Sequence, residues 1–195
     1  QSITQKALEL IKADDEENRL TTVVYQDHWH KGVIGIVASR LTETYYRPTL
    51  VFTKSGEKLA ASARSVKGFD VYDALEQCSE HIEQFGGHKY AAGLTLGEHQ
   101  YEGFKQKFEE VVSSSIDERL LIPEITIDAE LELDDITPKF YRILRQFAPY
   151  GPGNMTPVFM SKNLTDTGYG KCVGADETHL KCSVTQNGSQ TIGAI

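Results

Sequence analysis

The chain is predicted to be α/β: a mixed sheet flanked by helices, followed by a second segment of short strands. Three observations carry this expectation. From Thr21 to Ile116, runs dense in β-branched residues alternate with stretches whose apolar residues recur every three to four positions. A turn at Ser55-Gly56-Glu57 joins two of the strand runs directly, so part of the sheet is antiparallel. Beyond Pro123 the helical period gives way to polar and apolar alternation with turn signals, among them Asn187-Gly188.

Residues 1–19 read as the end of a connector helix, with Ile3, Ala7, Leu10 and Ile11 on one face. The chain opens on Gln1 inside that helix, as a piece of a longer protein would, and Asp14-Asp15-Glu16-Glu17 is a solvated acidic run. Thr21–Tyr25 has the composition of a buried strand. Val33–Tyr46 follows as a helix with Ile34, Val37, Ala38 and Leu41 inward, stopped by Arg47-Pro48. Strands at Thr49–Thr53 and Lys58–Val66 flank the turn. Asp70–Phe85 is predicted as a helix, with Asp70 as its N-cap and Val71, Leu75, Cys78 and Ile82 on its buried face. A strand at Leu94–Leu96 and a helix at Tyr101–Ile116 complete a domain spanning residues 20–118.

Residues 119–195 form the second segment. Glu124–Leu133 alternates like a half-exposed strand, Pro138–Phe147 is a short helix, and 149–157 is a proline and glycine loop. Short strands then form a meander that breaks off at Ile195, so a truncated barrel is expected.

Composition limits the function. With 195 residues, 39% hydrophobic and 25% charged, the chain suits one large or two small globular domains. It has no apolar run of membrane-spanning length and no signal-like start, so a cytoplasmic protein with no membrane partner is expected. Cys78, Cys172 and Cys182 form no C-x-x-C pair and suit reduced thiols. A net charge of -8 excludes a generally basic surface, so any nucleic-acid contact must be local.

Two stretches carry candidate chemistry. At Phe85–Leu96 the adjacent Gly86 and Gly87 leave backbone N–H groups uncovered beside His88, a way to present a nest to a phosphate. The alternative is that Gly86 merely caps the preceding helix. A helix C-terminus repels anions, so the attraction is expected from the glycine N–H groups, His88, Arg64 and Lys89. Arg64 stands among Ser62, Ser65 and alanines, where a guanidinium can grip a phosphate with two parallel hydrogen bonds; a surface ion pair is the competing reading. His28 and His30 would point the same way in an extended chain. They lack companions for a metal beyond Asp27, which favours hydrogen bonding by His30 at a domain junction or substrate edge.

The string Gly86-Gly87-His88-Lys89-Tyr90-Ala91-Ala92-Gly93 resembles the G-G-H-x-x-A-A-G signature of DHHA1 domains in the DHH phosphoesterase superfamily. H-W-H-K-G-V-I-G-I-V-A-S-R-L at 28–41, S-A-R-S at 62–65 and P-Y-G-P-G-N-M-T-P-V-F at 149–159 resemble, in order, stretches of its RecJ family of bacterial single-stranded-DNA exonucleases. The resemblance implies a DHHA1 domain followed by the start of an OB-fold domain. It implies a strand-holding role in 5′ to 3′ digestion of single-stranded DNA during repair and recombination, with Arg64 the foremost binding residue. Ser62, Ser65, Gly86, Gly87, His88, Lys89 and His30 join it, and Ala91, Ala92 and Gly93 serve as small motif residues. Two Mn²⁺ or Mg²⁺ ions would belong to an N-terminal DHH domain, whose D-H-H run this sequence lacks. No catalytic residue, metal ligand or cofactor is therefore expected among these residues, and the fragment alone is expected to be inactive. The implied partners are single-stranded DNA, the DHH domain and other repair proteins. Two alternatives carry over: a nanoRNase or cyclic-dinucleotide phosphodiesterase of the same superfamily, against which the segment after Glu124 counts, and a non-catalytic nucleic-acid-binding module.

Overall fold

The computed structural model describes residues 3–13 and 18–195. The acidic run at 14–17 and the first two residues lie outside them, as do the side chains of Ile3 and Leu10. The chain divides into two compact units, Gln1–Pro123 and Glu124–Ile195.

The first unit is built on a five-stranded sheet. Strand β1 (Thr22–Tyr25) leads through α2 (Ile34–Tyr45) to β2 (Thr49–Ser55), which pairs with it in parallel. β2 turns back antiparallel into β3 (Lys58–Arg64) through Gly56 at φ 66°, a conformation glycine adopts at no steric cost. After α3 (Val71–Glu76) come β4 (Gln84–His88) and β5 (Ala91–Gly97), and the strand order is β1-β2-β3-β5-β4. The sheet is mixed, as expected, and helices flank it.

Alternation along each strand sends residues to two separate cores. On one face Phe52, Leu59, Ala63, Leu94 and Leu96 pack under α3 and α4 (Tyr101–Ser115), with Phe52 edge-on to Phe104 at 5.6 Å. On the other face Val24 and Val51 pack with Ile34, Val37, Ala38 and Leu41 of α2, and with Ala7 and Ile11 of α1 (Ile3–Ala13). Tyr46 takes the left-handed conformation at φ 48°, ending α2 before Arg47-Pro48. Arg47 is buried and donates from Nε to Thr22 Oγ1 at 2.7 Å and from Nη1 to the Arg19 carbonyl. Glu109 of α4 accepts the Leu20 and Thr21 N–H groups at 2.9 and 3.0 Å, fixing the entry to β1.

The helix expected over Asp70–Phe85 requires correction. Asp70 caps α3 through the Tyr72 and Asp73 N–H groups, and Val71, Leu75 and Cys78 are fully buried. The helix stops at Glu76, a 3₁₀ turn covers Ser79–His81, and the chain becomes strand β4. Two glycines are poor helix formers, whereas β4 gains a full ladder against β5 from Gln84↔Thr95 to His88↔Ala91. Gly86, Gly87 and His88 therefore lie in an edge strand, and no helix terminus opposes an anion there.

The second unit holds α5 (Pro138–Leu144), capped by the Thr137 hydroxyl, and several short strands. β6 (Ala129–Glu130) pairs in parallel with β7 (Phe159–Met160), and β10 (His179–Thr185) joins β8 (Thr165–Asp166), β9 (Lys171–Val173) and β11 (Ile192–Ala194). The strand expected over Glu124–Leu133 shrinks to β6, because only these residues find a ladder partner among the described residues. Gln186 is buried and bridges the unit: its Oε1 accepts from Leu133 N at 2.7 Å and its Nε2 donates to the Lys162 carbonyl at 2.8 Å. The 149–157 loop is tied by Asn154, whose Nδ2 donates to the Phe147 and Pro149 carbonyls at 2.7 and 3.0 Å.

Candidate functional site

Strand register brings the motif residues together. On the face that β3 shares with α2, three rows run across β3, β5 and β4: Arg64, Ala91, His88; then Ser62, Gly93, Gly86; then Ala60, Thr95, Gln84. Helix α2 packs chiefly over β2 and β3, and Gly86, His88 and Gly93 are exposed. Successive rows stand about 7 Å apart, two residues along an extended chain.

Arg64 is half-buried at the junction of helix and sheet. Its Nε donates to Ser39 Oγ at 3.1 Å, and its Nη1 donates to Ser62 Oγ at 2.9 Å and to the Ala63 carbonyl at 2.7 Å. Ser39 in turn donates to the Gly35 carbonyl at 3.1 Å, which fixes it as an acceptor for the guanidinium. A Cβ on Gly35 would stand 3.0 Å from Arg64 Nη2 and 3.3 Å from Ser62 Oγ, so glycine there makes room for the guanidinium. Among the described residues no carboxylate pairs with Arg64, so its charge is oriented by neutral groups and left uncompensated. The ion-pair alternative is not what the structure shows.

His88 shares the row of Arg64. Its Nδ1 accepts from the Tyr90 N–H at 3.3 Å, which in the neutral ring leaves Nε2 as the donor. His30 repeats the device: its Nδ1 accepts from the Gly32 N–H at 3.0 Å. The expectation that His28 and His30 point the same way fails, because residues 27–33 form turns rather than extended chain. Trp29 is buried between them, and His28 Nδ1 lies 3.0 Å from Asp27 Oδ1, whose carboxyl that hydrogen bond holds below its ordinary pKa.

The remaining candidates separate. Gly86 and Gly93 form a cross-strand pair in the middle row, while Gly87 faces the core side at φ 150°, where a Cβ would meet the Ala91 carbonyl at 2.4 Å. Gly87 is thus required by the hairpin itself. Lys89 and Tyr90 make the two-residue turn, with Lys89 Nζ 5.7 Å from the Tyr90 ring centroid, and Ala91 and Ala92 open β5. Ser65 leaves the site: its hydroxyl donates to the Phe69 carbonyl at 2.9 Å and its N–H to the Tyr90 carbonyl at 3.1 Å, closing the loop after β3. Ser39 and Lys31 join the site without having been singled out in the sequence. Ser39 lies four residues after Gly35 on one helix face, a spacing that could have revealed it; Lys31 offers no such signal.

The DHHA1 domain family matches residues 18–114, and the RecJ OB domain family matches residues 127–195. The chain belongs to the RecJ family. RecJ of Bacillus subtilis, a single-stranded-DNA-specific exonuclease, is 31% identical over 190 residues, covering 96% of this chain and 24% of its own length. RecJ of Salmonella typhimurium is 38% identical over 141 residues, covering 70% of this chain and 24% of its own. The crystal structure of Thermus thermophilus RecJ with Mn²⁺ superimposes with a TM-score of 0.74 at 25% identity, over 97% of this chain and 27% of that one. The chain spans about a quarter of the length of the RecJ proteins it matches. Divalent metal accompanies RecJ in solved structures. The described residues of this RecJ chain hold no group of three or more His, Cys, Asp or Glu side chains able to bind a metal, so the residues present do not fit one.

Proposed function

We propose that this chain is the strand-holding part of a RecJ exonuclease that digests single-stranded DNA from its 5′ end in repair and recombination. The observation that carries the proposal is Arg64: a guanidinium aimed by Ser39 and Ser62, without a carboxylate partner, on an open sheet face that it shares with His88. Two hydroxyls fix the plane of the fork, so an arriving phosphate oxygen meets oriented N–H donors and a full positive charge. His88 Nε2–H adds a neutral donor in the same row, and Lys89 adds charge at the hairpin tip. Such contacts hold the backbone and leave the base sequence unread, as a processive exonuclease needs. Hydrolysis belongs to a metal-bearing DHH domain of the longer polypeptide, which takes its substrate from this face. In this reading the protein works in the cytoplasm beside other repair proteins. Among the described residues no helix is long and apolar enough to cross a membrane.

The test is fluorescence anisotropy of a 5′-phosphorylated single strand at low salt, with the 195-residue chain and its Arg64→Ala and His88→Ala variants. Affinity is expected to fall by about 1.5–3 kcal/mol for Arg64→Ala, the range of a charged hydrogen bond, and by about 1 kcal/mol for His88→Ala. Unchanged affinity in both variants, with circular dichroism preserved, would refute the proposal.

A further inference from the structure

Beside the phosphate face, toward the opposite end of the same strands, lies a cavity of about 280 Å³ lined by Lys31, Ala60, Gln84, Gly86, Gly93 and Thr95 among others. It occupies the second and third rows, about 7–13 Å along the strands from the row of Arg64 and His88. The Gln84 amide and Thr95 hydroxyl are cross-strand neighbours on its wall, and Lys31, from the turn before α2, lines another side. Among the described residues none of these three side chains has a hydrogen-bond or ion-pair partner.

The floor explains which ligand fits. Gly86 and Gly93 oppose each other, and neither has a positive φ. A Cβ on Gly86 would meet nothing within 4 Å, and one on Gly93 only the Ala61 carbonyl at 3.7 Å. The fold itself therefore does not require glycine at either place, although glycine weakens a strand. The missing side chains leave flat, exposed backbone that a planar group can lie against. Walls offering both donors and acceptors match the edge of a nucleobase better than a second phosphate, which only accepts.

We infer that this cavity is a nucleoside subsite: a base of the strand lies on the Gly86–Gly93 floor, its edge against Gln84 and Thr95, with Lys31 beside the adjoining backbone. The inference rests on Arg64 holding a phosphate of that strand. Because amide and hydroxyl can each donate or accept, the subsite takes any base and supplies affinity without sequence preference.

The test compares two 5′-phosphorylated single strands of equal length, one carrying bases and one abasic throughout, binding to wild type, Gly86→Ala, Gln84→Ala and Arg64→Ala. Wild type is expected to favour the base-bearing strand by about tenfold or more, the scale of one base contact. Gly86→Ala and Gln84→Ala should keep the wild-type melting profile and lose most of that preference, and Gln84→Ala should bind the abasic strand unchanged. Arg64→Ala should weaken both strands alike. Wild-type preference retained in Gly86→Ala and Gln84→Ala, or equal weakening of both strands by them, overturns the nucleoside assignment alone. Full binding of both strands by Arg64→Ala contradicts the phosphate reading, and the nucleoside assignment falls with it.

Discussion

At Arg64 the arrangement is more specific than charge alone. The guanidinium is oriented by Ser39 and Ser62, each about 3 Å away, and a lysine ammonium cannot reach both hydroxyls and still present a planar fork. Arg64→Lys is accordingly expected to weaken strand binding by about tenfold while leaving the melting temperature unchanged, read by anisotropy and thermal circular dichroism. Gly35 acts through Arg64. Its methyl replacement would crowd Arg64 Nη2 at 3.0 Å, so Gly35→Ala should weaken binding through a displaced guanidinium, by about 1 kcal/mol in the same assay. Cys78 shows how burial alone sets reactivity: its thiol is fully buried and its pKa is pushed up to about 12 by desolvation. It stays protonated at neutral pH, so alkylation followed by mass spectrometry at pH 8 should label exposed Cys172 and spare Cys78 until the chain unfolds. Because the folded state raises this pKa above the ordinary value of 9, the stability Cys78 contributes is complete below about pH 9 and is lost as pH climbs toward 12.

At the scale of elements, strand β4 shows what each glycine of the motif does in the fold and why the motif is hard to read in sequence. Gly86 and Gly87 sit side by side yet play opposite parts: Gly87 answers a backbone demand of the hairpin, whereas Gly86 faces open space. Gly87→Ala is expected to destabilise the chain by about 2–4 kcal/mol in urea titration, through a clash with Ala91 and Ala92, while Gly86→Ala stays within about 0.5 kcal/mol of wild type. The period through Val71, Leu75 and Cys78 correctly located α3, and Ile82 extended it falsely, because that residue also packs on the core as the chain enters β4. The hairpin turn is Lys89-Tyr90, which carries none of the Asn, Asp or Gly residues that announce a two-residue turn. Arg64, Ser62, His88 and Gly86 were legible as residue types near a motif. Their convergence came from the antiparallel register of β3, β5 and β4, a pairing that no local spacing encodes. Ser65 illustrates the reverse: one residue past Arg64, alternation turns it to the other side, where it closes a loop.

At the scale of the whole molecule, a net charge of -8 and the proposed phosphate-binding face are compatible because acidic residues of the 128–135 stretch are engaged within the second unit. Asp128 accepts the Val158 N–H at 2.7 Å, Glu130 pairs with Lys162 at 2.6 Å, and Glu132 with Asp135 forms a capping box. The 128–135 stretch thus serves the second unit. The nine residues of the open rows include Arg64 and no carboxylate, with Lys89 in the adjoining hairpin turn and Lys31 on the cavity wall. Attraction for a polyanion is then a property of one sheet face rather than of overall charge. The measurement that bears most directly on this account is the salt dependence of single-strand binding by wild type and Arg64→Ala. Each neutralised phosphate of a single strand contributes a slope of about -0.7 in log K against log salt. If Arg64 holds one phosphate, the variant's slope is shallower than wild type's by about 0.7. Equal slopes, with affinity retained, would show that the strand is held elsewhere.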